Sequence, residues 1–121
     1  MTFINCSNHP SSGWGEKQLA EAEKYGKIVD IAFPAVIPES SEKEIESVSE
    51  ELFQKIVTYN PDAVMCEGEF TLTFSAVKKL KNAGVKVMAA CTKRETAEEK
   101  MPDGSARKAS VFRFVRFREY I

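Results

Sequence analysis

The sequence predicts a three-layer α/β domain, with helices on both faces of a mainly parallel sheet that closes in a C-terminal antiparallel hairpin. Residues 1–91 alternate short apolar runs with stretches of helical periodicity, four strands and three helices in turn. A parallel crossover needs a dozen or more residues and is nearly always right-handed, so this alternation builds a parallel core covered on both faces. Residues 92–121 flank Pro102-Asp103-Gly104 instead, a turn former with a physical basis, and predict the hairpin. A chain of 121 residues has room for one domain and one core.

Thr2 to Cys6 is short, apolar and partly β-branched, and it stops at the turn formers Ser7 to Gly13, so it reads as a first strand and its loop. From Trp14 to Tyr25 the apolar positions Leu19, Ala22 and Tyr25 recur at helical spacing, and Gly26 supplies the stop. Lys27 to Phe33 is the second strand. Pro34 and Pro38 bracket a rigid connection, after which Ser40 or Ser41 caps a helix with the stripe Ile45, Val48, Leu52, Ile56 and Tyr59. Asn60-Pro61-Asp62 ends it, and Ala63 to Cys66 is apolar enough only for a buried strand. The third helix starts at Gly68-Glu69-Phe70-Thr71, with Phe70, Phe74, Val77 and Leu80 expected in the core and Ala83-Gly84 as its end. Val85 to Cys91 is the fourth strand. In the hairpin, Val111, Val115 and Phe117 are expected on one face and Phe112 and Phe114 on the other.

Composition narrows the function classes. Hydrophobic residues make up 43% and charged residues 29%, as in ordinary folded domains, and no apolar run approaches the roughly 18 residues that span a bilayer. The polar N-terminus does not resemble a signal peptide, so the expected location is cytoplasmic. Cys6, Cys66 and Cys91 form no C-x-x-C pair, which favours reduced, buried thiols over disulfides or zinc. A net charge of −1 argues against a coat for long nucleic acid or a membrane-surface role. Residues 93–121 carry eight basic and five acidic groups, so the basic end is the one suited to an anion.

Ligands of open parallel sheets bind beyond the carboxyl ends of the strands, where the strand order reverses. That directs attention to Ser7–Gly13 after the first strand, Glu67–Thr73 after the third, and Thr92-Lys93-Arg94 after the fourth. The first two open onto helix N-termini, whose free amides and dipole favour an anion, so phosphate is the natural ligand. Neither G-x-G-x-x-G nor the P-loop pattern is present. His9 is the single histidine, a proton shuttle near neutral pH or a loop residue bonded to backbone. Lys93 and Arg94 suit a phosphate clamp or simple solvation. Trp14 and Phe70 suit base stacking or packing, and Glu67 and Glu69 suit the electrostatics of a first helical turn. Too few ligands gather for a metal site.

Two stretches carry a resemblance. Ser7-Asn8-His9-Pro10, directly after the first strand, is similar to the S-x-H-P turn of small stand-alone CRISPR-associated proteins of the Rossmann-like, CARF-related ring nuclease type. Cys91-Thr92-Lys93-Arg94-Glu95, Asp103-Gly104-Ser105 and Phe112 to Tyr120 resemble the pattern T-[KE]-R, D-G, F-x-x-V-R-F-R-x-Y of one branch of them. The sequence departs from that branch at Cys91, where Ala or Thr is expected.

The resemblance implies a Rossmann-like (CARF-like) fold and a homodimer that binds cyclic oligoadenylate, above all cyclic tetra-adenylate, across its twofold axis in antiviral defence. It implies a metal-independent phosphodiesterase needing no cofactor, in which a ribose 2′-hydroxyl attacks the adjacent phosphodiester and leaves a 2′,3′-cyclic phosphate. His9, Lys93 and Arg94 would then be catalytic. Ser7, Asn8, Gly13, Trp14, Gly68, Glu69, Phe70, Thr71 and Thr92 would line the ligand. A binder that sequesters the ring without cutting it, another nucleotide or phosphoester binder, and a dimerising scaffold are the alternatives.

Overall fold

Strand β1 (Thr2–Ser7) is flanked on both sides by other strands, and its near-continuous burial is what a strand covered on both faces requires. The computed structural model describes residues 1–121 and continues through α1 (Glu16–Glu23), β2 (Lys27–Ala32), α2 (Glu42–Val57), β3 (Ala63–Cys66), α3 (Phe70–Asn82), β4 (Val87–Lys100) and β5 (Ala106–Glu119). The sheet order is β2-β1-β3-β4-β5, parallel from β2 to β4 and antiparallel between β4 and β5. Because the order reverses at β1, crossovers of one hand place α1 on one face and α2 with α3 on the other. The two cores follow the pleat. Ile4, Cys6, Val64 and Cys66 pack under α2 and α3, while Phe3, Ala63, Met65 and Met88 pack under α1. No helix is long and apolar enough to cross a membrane.

The predicted architecture is the observed one, with local corrections. Trp14 lies outside α1, after a single 3₁₀ turn at Ser11–Gly13, and packs edge-on against Phe3 with ring centroids 6.2 Å apart. Ser41 is the cap of α2, in a reciprocal capping box with Glu44. Tyr59 falls beyond α2 and is exposed.

The buried stripe of α3 is Leu72, Ala76, Val77 and Leu80; Phe70 and Phe74 are 89% and 72% exposed. This helix carries two apolar rows at i, i+4 spacing, and periodicity alone does not choose between them. Lys79, which bridges to Glu46 at 2.5 Å and Glu50 at 3.1 Å on α2, accompanies the observed rotation.

The fourth strand does not end at Cys91. It continues to Lys100 and pairs with β5 along its length, closed by a turn in which the Ser105 amide donates to Asp103 Oδ1 at 2.9 Å and Gly104 sits at φ 88°. Cys91 opposes Arg116 and Thr92 opposes Phe114, leaving Val115 as the extra residue of a bulge. The bulge resets the alternation, so Phe114 and Phe117 share the α1 face with rings 4.9 Å apart rather than facing opposite ways. Beyond it the two strands form a ribbon that is exposed on both faces over most of its length.

Candidate functional site

On the α1 side, the carboxyl ends of β1, β3 and β4 open into a crevice of about 1000 Å³ at the point where the strand order reverses. Its near wall is the loop after β1 and the start of α1, from His9 through Trp14 to Gln18. Its floor is Met65, Glu67, Ala90 and Thr92, and its far wall is residues 111–114 of β5.

The β1 loop is held from below by polar side chains, of which Asn5 and Ser7 are buried and Asp30 is exposed at the sheet edge. Asn5, 2% exposed, points to the α1 face beside Ser7. Its Nδ2 donates to the His9 carbonyl and to Asp30 Oδ1 of β2, each at 2.9 Å, while its Oδ1 accepts from the Ser7 hydroxyl at 2.7 Å. The His9 amide donates to Ser7 Oγ at 3.2 Å. Asp30 accepts from the Ser11 amide and hydroxyl, the latter at 2.9 Å. Four side chains thus fix both ends of the turn that presents His9. Buried groups of this kind are satisfied together or become costly, which explains a polar cluster beside an apolar core.

The start of α1 also faces the crevice. Its N-cap is Gly15, which has no side chain to bond the first amides, so they remain available to an anion. The start of α3 differs. There the Glu69 carboxylate accepts from the amides of Thr71 at 2.7 Å and Leu72 at 3.1 Å and fills the anion position itself. The Thr71 hydroxyl and amide hold the Glu69 carboxyl below the ordinary range. One of the two expected anion-binding N-termini is open, and the other is occupied by its own side chain.

Glu67 is the titratable group of the floor. Burial pushes its carboxyl above the ordinary range, while the Ala90 amide that donates to it and the nearby His9 pull the other way. A carboxyl raised in the folded state favours folding while protonated, and that contribution is lost as pH rises through its folded value. Glu67→Gln is therefore expected to melt above the wild type at pH 7, with the gap closing below the ordinary value of 4.5. Melting curves at several pH values check this, and a gap independent of pH would contradict it.

The residues singled out in the sequence separate into groups. His9, Gly13, Trp14 and Thr92 line the crevice. Ser7 is buried beneath it as a support, and Asn8 is exposed on the loop. Gly68 lies against the ring of Phe33, which a Cβ there would overlap. Glu69 and Thr71 face a separate hollow of about 510 Å³ beside Ser40 and Glu42, and Phe70 lies on an outer surface with Phe74 and Ile121. Lys93 and Arg94 are not in a loop after the fourth strand. As consecutive strand residues they point to opposite faces, Lys93 opposite Arg113 and Arg94 opposite Phe112, so they do not form one clamp.

Sequence reasoning missed Asn5 and Asp30 as supports and the ribbon residues Phe112 and Phe114 as a wall. The available signal was polar residues at inward positions of otherwise apolar strands. Cys6 and Cys66 are buried register partners on β1 and β3, and the hydrogen bond with the Cys6 thiol, together with burial, holds the Cys66 thiol well above its ordinary range. These are packing residues. No three His, Cys, Asp or Glu side chains gather into a cluster suited to a metal ion.

A family model, described as the uncharacterized protein MJ1673 family, matches residues 1–118. The chain belongs to this MJ1673 family. The match spans the parallel core and nearly all of the ribbon, so the crevice lies wholly within the family's extent. Neither the curated proteins nor the solved structures contain a match to this MJ1673 family member.

Proposed function

We propose that this MJ1673 family member binds cyclic oligoadenylate in the crevice and opens the ring without a metal ion, as a homodimer in antiviral defence. The observation that carries the reading is the convergence of His9, Glu67 and the uncapped start of α1 at the point of strand reversal. The resemblance of Ser7-Asn8-His9-Pro10 and of the C-terminal pattern supplies the ligand class. A phosphodiester at the α1 amides lies within the wall that carries His9. The ribose 2′-oxygen then attacks phosphorus, the bond to the 5′-oxygen breaks, and the products are a 2′,3′-cyclic phosphate and a 5′-hydroxyl. His9 exchanges the proton at one of these oxygens, with Glu67 as its nearby carboxylate partner. Two copies would each hold half of a symmetric ring.

Sequestration without cleavage is the second reading, and one observation favours it. Lys93 points away from the crevice, so the single chain lacks the paired Lys-Arg clamp that would steady developing charge. The experiment that separates them mixes the protein with cyclic tetra-adenylate and with the hexamer in the presence of a chelator, and follows gel retention and products by chromatography. Linear adenylates ending in a cyclic phosphate are expected. Retention without product would make the protein a sink, and neither retention nor product would overturn the proposal.

A further inference from the structure

The ribbon continues the crevice wall outward, and its two faces differ. On the face turned away from α1, Arg113 is paired with Glu95 at 2.5 Å and Arg107 with Glu99 at 2.9 Å, while Lys93 has no carboxylate partner. On the α1 face, Arg94 has no carboxylate. Its guanidinium donates instead to the Ser110 hydroxyl, at 3.2 Å from Nε and 3.0 Å from the terminal nitrogen. That leaves the charge uncompensated and the group oriented. Directly across from Arg94 is Phe112, 66% exposed in the middle of a regular strand, with Phe114 on the same face. Lys108 lies farther out on this face, directly across from Glu98.

An exposed aromatic ring beside an oriented, unpaired arginine suits a ligand that offers a flat apolar face next to an anion. Stacking is tolerant of base identity because every base has a π face, while the phosphate accounts for the cation. We propose that the α1 face of the ribbon is a nucleobase platform, with a base of the oligoadenylate stacked on Phe112 and the adjoining phosphate on Arg94. This rests on the oligoadenylate reading of the crevice and adds to it a second subsite, set by the ribbon.

Phe112→Ala, Phe112→Trp and the wild type are titrated with cyclic tetra-adenylate, with linear tetra-adenylate, and with a linear ribose-phosphate tetramer that lacks bases. The alanine variant is expected to bind both adenylates about tenfold to a hundredfold more weakly. The tryptophan variant should bind like the wild type, with its added fluorescence quenched by the adenylates and untouched by the baseless strand. Equal affinity of the alanine variant and the wild type would overturn the platform and leave the crevice reading standing. Failure of the wild type to bind either adenylate would overturn both. Weaker binding accompanied by conversion of a dimer to a monomer on size exclusion would also overturn the platform, by assigning Phe112 to an interface between copies. Phe112 is exposed, so the variants should keep the wild-type circular dichroism, which is recorded alongside.

Discussion

Asn5→Leu is expected to lower the free energy of unfolding by about 2–4 kcal/mol, read from urea denaturation, although the side chains are similar in volume. The cost arises from what the substitution leaves behind. The His9 carbonyl, the buried Ser7 hydroxyl and the exposed Asp30 Oδ1 all lose their bonds to Asn5, and the buried place that Asn5 held is left beside polar groups. Asp30→Asn retains acceptors and donors and should cost far less. Because Asn5 also bonds the His9 carbonyl, the leucine variant should lose ring binding at temperatures where it is still folded. A loss of stability under about 1 kcal/mol would show that the cluster does not hold the loop.

His9→Ala is expected to slow ring opening by about a hundredfold to ten-thousandfold while leaving gel retention of cyclic tetra-adenylate unchanged. The His9 backbone is clamped from below, and the side chain itself is exposed on the crevice wall, so removing the imidazole leaves the turn in place. A pH profile separates proton transfer from positioning: the wild-type rate should depend on pH and the residual rate of the variant should not. Cleavage at the wild-type rate would remove His9 from the chemistry and leave alignment of the 2′-hydroxyl as the source of rate.

Both predictions depend on a loop that was legible in the sequence only in part. The turn formers Ser7 to Gly13 and the position of the loop after the first strand were readable, because turn chemistry is local and the ligand side of a parallel sheet is general. That Asn5 and Asp30 meet under the loop was not readable. The two lie 25 residues apart and become register partners only when β1 and β2 pair.

The same division holds across the molecule. The alternation of strand and helix periods by itself determined the α/β class, the parallel core, the closing hairpin and the loops that carry the crevice, because each depends on spacing within a short window. Tertiary structure alone decided which apolar row of α3 is buried, since Phe70–Phe74 and Leu72–Ala76 have the same period and only packing under the sheet distinguishes them. It also decided that Glu69 caps its own helix and that Lys93 and Arg94 part company. The reason is cooperative: β4 continues past Cys91 because β5 supplies partners for its backbone, and a strand that continues sends neighbouring side chains to opposite faces. The bulge at Val115 then sets which of the phenylalanines join the crevice, and pairing between distant strands, rather than any local signal, fixes where it falls.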